Sequence, residues 1–195
     1  RFMDVGANVS CRSEDLVQFA IMGKTYAEDV LHVENPRIGV LSNGEEATKG
    51  NEVIRKTVER LNKSGLRFVG PVEGKDLFHG EVDVVITDGF TGNAVLKAVE
   101  AVASLTFKSM KEEIMKSWIA KIGALLMRGS LRNLKRKFDY AEHGGAPLLG
   151  LKEACIICHG RSNPTAIKNA LRVAAEFSEN QASSHIQICI IELYE

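Results

Sequence analysis

The chain alternates short apolar runs with amphipathic stretches, and that alternation predicts its elements in order. Arg1-Phe2-Met3-Asp4-Val5 reads as a strand running into Gly6-Ala7-Asn8. Ser13-Glu14 opens a helical pattern in which Leu16, Phe19, Ala20 and Gly23 lead to Tyr26, and Asn35-Pro36 ends it. Arg37 to Leu41 predicts a strand leading into Ser42-Asn43-Gly44-Glu45-Glu46, after which Val53, Ile54, Thr57, Val58 and Leu61 recur at helical spacing as far as Ser64-Gly65. Phe68-Val69 is a short strand and Val82 to Ile86 a longer one. Two helical segments follow, Gly92 to about Lys116 and Ser117 to about Phe138, then a glycine-rich corner from His143 to Gly150. Leu151 to Cys158 reads as a buried strand, and Asn163-Pro164 opens a helix to about Asn180. The tail Ile186 to Ile191 fits either a strand, from its β-branched residues, or continued helix.

Strands alternating with helices imply an α/β sandwich with a largely parallel sheet. At 195 residues and 45% hydrophobic, with no proline-rich or serine-rich linker and no internal repeat, the chain is expected to form one domain over residues 1–195. Lysine and arginine (25) balance aspartate and glutamate (25), so there is no whole-chain pull toward nucleic acid, and none is expected as a partner. No apolar run approaches the roughly 18 residues of a membrane span, and no leader pattern opens the chain, so a cytoplasmic location is expected. Cys155-Ile156-Ile157-Cys158-His159 formally matches a haem-attachment motif and half of a zinc knuckle. On a strand, residues three apart point to opposite faces, so packed, reduced cysteines are the expectation, with no metal and no cofactor.

In such a fold, ligands collect beyond the carboxyl ends of the strands. Gly6-Ala7-Asn8, Ser42-Asn43-Gly44-Glu45, Thr87 to Asn93, and His159-Gly160-Arg161-Ser162-Asn163 fall at those ends, and each precedes a helix. In the sequence TDGFTGN, Gly89 and Gly92 would allow positive φ and close approach to a ligand. Thr91 or Asn93 would cap the helix, and the helix's first N–H groups would then face an anion. The competing reading is a capped turn with no ligand. Lys49, Lys97 and His159 are candidate polar groups beside these loops, against surface lysines and a loop histidine. Asp4, Asp83 and Asp88 match no metal spacing, and strand-end or capping roles suffice for them.

Residues 117–137 differ in kind. Trp118, Ile122, Leu125 and Leu126 fall near one helical face, while Lys116, Lys121, Arg128, Arg132, Lys135, Arg136 and Lys137 meet no acidic residue between Glu113 and Asp139. A basic amphipathic segment with tryptophan suits an anionic membrane surface or an acidic partner protein; core packing and dimer contact are the alternatives.

Several strings together resemble the PlsX-type phosphate acyltransferases of bacterial phospholipid synthesis. They are Asp4-Val5-Gly6-Ala7-Asn8, Leu16 to Ala20, Asn43-Gly44-Glu45-Glu46 with Lys49-Gly50-Asn51-Glu52, Val72 to Asp76, Thr87 to Asn93, Gly144 to Gly150, and His159-Gly160 with Ser162-Asn163. They occur in family order over almost the whole chain, with Arg161 at a usually small position and Ser42-Asn43 in place of a commoner Asn-Ile. The resemblance implies a three-layer α/β/α sandwich like isopropylmalate dehydrogenases and phosphate acetyltransferases, and a homodimer. It implies transfer of a fatty acyl group from acyl carrier protein to inorganic phosphate, giving acyl phosphate. Family members extend further at the N-terminus, so the chain resembles their C-terminal portion. On this basis Gly89, Thr91, Gly92, Asn93, Asn8 and Ser162 are expected to hold phosphate, and Asn43, Lys49 and His159 are the catalytic candidates. Trp118, Ile122, Leu125, Leu126, Arg128, Arg132, Lys135, Arg136 and Lys137 are expected to touch membrane or carrier protein. An isopropylmalate-type dehydrogenase and a non-catalytic surface-binding fragment are the alternatives.

Overall fold

The structure, a computed structural model, describes residues 2–46, 49–137 and 144–193, and only the backbone of Lys135 and Lys137. Arg1, Phe138 and His143, which bound sequence-predicted features, lie outside the described residues. Two compact units emerge: Arg1–Ala94 with Leu148–Cys155 and Ala175–Glu195, and Val95–Pro147 with Ile156–Ala174.

The first unit is α/β, a parallel four-strand sheet flanked by helices. Its strands are β1 (Phe2–Met3), β2 (Ile38–Leu41), β3 (Phe68–Val72) and β4 (Val84–Ile86), in the order β1-β4-β2-β3. Ile86 sits beside Met3 on one side and Val40 on the other, and Leu41 beside Val72, so all four carboxyl ends reach one edge. A central parallel strand is covered on both faces, which is why Val84-Val85-Ile86 is apolar at every position and entirely buried.

Helix α1 (Ser13–Asp29) buries Leu16, Val17, Phe19, Ala20 and Ala27, and joins Ile38, Val40, Val84 and Ile86 in the main core. Burying one such leucine is worth about 1.5–3 kcal/mol. Gly23 belongs on this face, because a Cβ there would stand 2.6 Å from Val84 Cγ1. The helix stops short of the predicted Asn35-Pro36, since His32 and Asn35 take positive φ and turn the chain into β2. Helix α2 (Glu52–Leu61) starts where the Asn51 side chain accepts the Ile54 N–H at 2.9 Å, and it buries Ile54, Thr57, Val58 and Leu61.

The ambiguous tail is helix α7 (Ala182–Glu192), which packs on α1. Ala182 and Ile186, four residues apart, bury with Val30 and Phe177 in a second cluster, and His185 Nδ1 meets Asp29 Oδ2 at 2.8 Å. That docking outweighs the β-propensity of the isoleucines.

The second unit holds most of helix α3 (Gly89–Lys116), α4 (Trp118–Leu126), α5 (Arg128–Lys137), the antiparallel pair β5 (Ala146–Pro147) and β6 (Ile156–Ile157), and most of α6 (Pro164–Glu179). Pairing of β5 with β6 requires glycine at 145, whose φ is 103° and whose Cβ would meet Ile157 O at 2.7 Å. The predicted buried strand Leu151 to Cys158 shrinks to Ile156–Ile157. Gly150 takes positive φ, Leu151, Lys152 and Glu153 are exposed, and Cys155 is exposed with Cys158 half-buried. The packed-strand reading of the two cysteines is therefore corrected; neither is disulfide-bonded.

Candidate functional site

The carboxyl edge of the first unit's sheet carries the loops that the sequence singles out. Beyond β1, the Asp4 carboxylate accepts the N–H groups of Gly6 and Ala7 on Oδ1, both at 2.8 Å, and those of Asn8 on Oδ2, at 2.7 Å from the backbone and 2.9 Å from Nδ2. Burial alone would raise this carboxyl, but the donors more than offset it and hold Asp4 below the usual carboxylate range. The loop is then tied to the turn after β4: Asp4 N donates to Thr87 O, Thr87 N to Met3 O, and Gly89 N to Asn8 O at 2.7 Å.

Asp88 closes the other side. Its carboxylate accepts the Thr91 N–H on Oδ1 and the Thr91 hydroxyl on Oδ2, each at 2.8 Å, and its carbonyl accepts the Gly92 N–H. Asp88 thus caps α3, rather than Thr91 or Asn93, consistent with the capping role expected among the aspartates. Two points of the sequence reading are corrected here. Gly89 and Gly92 are helical and do not take positive φ; they are required because a Cβ at 92 would stand 1.8 Å from Asp4 O, and one at 89 would stand 2.9 Å from Asn8 N and O. The amides of Gly89, Thr91 and Gly92, expected to face an anion, already donate within the chain. Asn93 is exposed beside Gly6, with its Cβ 3.8 Å from where a Gly6 Cβ would be.

The loop after β2 folds on itself. Asn43 Oδ1 accepts the Gly50 N–H at 2.8 Å, and Lys49 donates its backbone N–H to Glu46 O while its ammonium lies 3.6 Å from the Glu46 carboxylate. Asn43 and Lys49 are exposed, so both present polar groups to solvent at this edge. Ser42 Oγ, at the strand's end, is buried with no hydrogen-bond partner among the described residues. Lys75 spans from this loop to the one after β3, reaching Glu45 at 2.8 Å and Glu73 at 3.2 Å; these hydrogen bonds, that to Glu45 foremost, raise its ammonium well above the ordinary lysine range.

Cys11 also lies at this edge, its thiol donating to Asn8 O at 3.6 Å. Burial, then the carboxylates of Asp4, Asp88 and Asp15, push it up to about 11, so it is a thiol and not a thiolate nucleophile at neutral pH. At the opposite edge Arg37 forks onto Asp83 at 3.0 and 3.1 Å, and the pairing lowers the Asp83 carboxyl. Sequence reasoning did not anticipate this clamp, the Cys11 environment or Asp4 as the acceptor for its own loop. For Asp4, the aspartate-to-asparagine spacing in Asp4-Val5-Gly6-Ala7-Asn8 is the signal, because short carboxylates fold the next residues' amides onto themselves.

In the second unit, the predicted His159 to Asn163 loop leads from β6 to α6. The N–H of Ser162 donates to His159 O at 2.9 Å, that of Arg161 to His159 Nδ1 at 3.0 Å, and Asn163 Oδ1 caps α6 through Ala166. Helices α4 and α5 break at Met127, and their apolar face is open: Trp118 is 71% exposed, Ile122 52%, Leu125 68% and Leu126 83%. Arg128, Arg132 and Arg136 are exposed along α5. No helix among the described residues is long and apolar enough to cross a membrane, and none of their His, Cys, Asp and Glu side chains form a group of three suited to a metal.

Residues 2–185 match the family model described as fatty acid synthesis protein. Over 188 residues the chain is 53% identical to a phosphate acyltransferase of Pelotomaculum thermopropionicum, covering 96% of the chain and 55% of that relative. A phosphate acyltransferase of Trichlorobacter lovleyi is 50% identical over 192 residues, 98% of the chain and 56% of the relative, and one of Aquifex aeolicus is 52% identical over 175 residues, 90% and 52%. The chain spans about half the length of the curated relatives it matches.

Proposed function

Because the chain belongs to the fatty acid synthesis protein family, we propose that it carries out phosphate acyl transfer, moving a fatty acyl group from acyl carrier protein to inorganic phosphate. The observation that carries this reading is about half identity, along nearly the whole chain, to relatives named for phosphate acyl transfer. Those relatives lend no support to the dehydrogenase or non-catalytic readings.

The chemistry asks little of the protein. An unprotonated oxygen of the hydrogen phosphate dianion attacks the thioester carbon, the C–O bond forms as the C–S bond breaks, and the sulfur leaves with the electron pair. The proton of the phosphate ends on the thiolate, giving acyl phosphate and thiol with no external acid or base. A leaving thiol with a pKa of about 8.5 needs little help. What remains is positioning the two reactants and stabilising negative oxygen.

The Asn8, Asn43, Asn93 and Lys49 side chains are proposed to hold phosphate at the carboxyl edge. Gly89, Thr91 and Gly92 serve by locking the Asp4–Asn8 loop against α3. Residues 1–195 are read as one functional domain that works as a homodimer in the cytoplasm, with α4 and α5 making reversible contact with anionic membrane through their exposed apolar residues and arginines.

The decisive assay mixes purified protein, acyl-acyl carrier protein and phosphate, and follows acyl phosphate and thiol together. Equal, phosphate-dependent formation of both is expected. Thiol release without acyl phosphate would sink the reading, since it describes a thioesterase.

A further inference from the structure

The carboxyl edge of the first unit's sheet carries apolar side chains that the fold leaves unburied: Val9 is 66% exposed and Phe90 68%. A single exposed apolar side chain is ordinary on a protein surface, but these two are placed by one tie. Val9 follows Asn8, Phe90 follows Gly89, and Gly89 N donates to Asn8 O at 2.7 Å. The strands that lead to them, β1 and β4, are neighbours in the sheet. Polar groups stand in the same two segments. Asn8 is exposed directly before Val9, and Asn93 is exposed three residues after Phe90 on α3, a spacing that makes the two neighbours on the helix surface. Gly89 and Gly92 turn another side of α3 against Asn8 and Asp4 O, which leaves the side bearing Phe90 to solvent. All of these residues belong to the first unit.

We propose that Val9 and Phe90 form a subsite for a hydrocarbon tail, covering the methylenes nearest the head group while the Asn8 and Asn93 amides hold phosphate oxygen. The proposal rests on the phosphate acyl transfer reading, which makes the ligand an acyl phosphate, and it adds the residues that read the chain. Small-molecule sites combine apolar side chains with a few placed polar groups, and an amphiphile with an anionic head and an alkyl tail needs the two kinds side by side. Full burial of one CH₂ strengthens binding about fourfold, or about 0.8 kcal/mol. Two side chains cover one side of a tail, so each added CH₂ should gain about twofold here.

The test titrates the full chain calorimetrically with inorganic phosphate and with ethyl, butyl and hexyl phosphate, whose tails are short enough to stay monomeric. Hexyl phosphate, with four more CH₂ groups than ethyl, should bind about 16-fold tighter. Val9→Thr and Phe90→Ser, made singly and together, should each flatten this gain, and the pair should reduce it to about threefold or less, while inorganic phosphate affinity stays within about twofold. Both positions are exposed, so cooperative melts should be retained. Phe78→Ser is the control, because Phe78 is as exposed as Phe90 but follows β3, at the far end of the sheet from β1. It should keep the full gain. No gain with tail length in the parent, the same gain in the folded variants, or equal flattening by Phe78→Ser overturns the subsite. The two readings fail separately. If the variants flatten the gain but the parent forms no acyl phosphate from a thioester, the tail subsite stands and the acyl transfer reading fails; if acyl phosphate forms and the gain is unchanged in the variants, the reverse holds.

Discussion

Asp4 places one carboxylate under four N–H donors, and Asp4→Asn would replace an oxygen with an amide that points N–H at N–H. Hydrogen bonds to a charged acceptor are worth more than neutral ones, so the variant should lose about 2–3 kcal/mol, read as a lower urea midpoint with unchanged slope. The sign of its pH dependence follows. A carboxyl held below its ordinary value binds protons less readily folded than unfolded, so its stabilisation is present above the ordinary aspartate range and is lost as pH falls through the lowered value. The parent should therefore lose stability more steeply than Asp4→Asn on acidification below about pH 4. Gly92→Ala is the harsher change: a methyl 1.8 Å from Asp4 O forces strand end and helix apart, with an expected cost of at least about 4 kcal/mol. Gly123→Ala is its control. A Cβ there meets nothing within 4 Å on a helix, so thermal melts should show a gain of about 0.5–1 kcal/mol. The need for glycine at 92 was not legible in the sequence, because the carbonyl that occupies the space comes from a distant segment; only the presence of a tight strand-to-helix turn could be read.

Among the elements, those with a clean period were legible. The α1, α2 and β4 patterns sit where the apolar spacing puts them, because each has one face or both faces committed to a single core. The tail and the Leu151 to Cys158 run were not, since short apolar runs take the form that their tertiary neighbours allow: Ile186 docks on α1 as helix, while the cysteine run has only a two-residue partner. The loops of the candidate site were legible as positions, but the internal satisfaction of α3's first amides was not. Helices α4 and α5 expose apolar and basic residues together, and anionic vesicles at low salt should co-sediment the protein. Changing Arg128, Arg132 and Arg136 to glutamine removes about 1 kcal/mol each near such a surface, which predicts roughly a hundredfold weaker partitioning. Raising salt should weaken the parent in the same direction. No loss in either experiment would show that the arginines do not face lipid.

On the scale of the whole chain, burial is uneven. The first unit has two apolar clusters, whereas the buried apolar side chains described in the second are Ala166, Ala170 and Val173, all on α6. Amide hydrogen exchange should accordingly show its strongest protection in β2, β4 and α1, with α4 and α5 exchanging many orders faster. Comparable protection in α4 would mean that a partner covers it under the conditions used. The strand order β1-β4-β2-β3 carries one more consequence, for the order in which the chain is made. β4 stands between β1 and β2, and it is the last of the four strands to be synthesised. Until Ile86 clears the ribosome, β1 lacks its partner among the described strands, β2 has only β3 of its two, and the apolar face of α1 lacks the strand β4 that it covers. Closing so long a loop is entropically slow, so the nascent chain carries exposed apolar surface until β4 is made, the interval in which chaperones have most to bind.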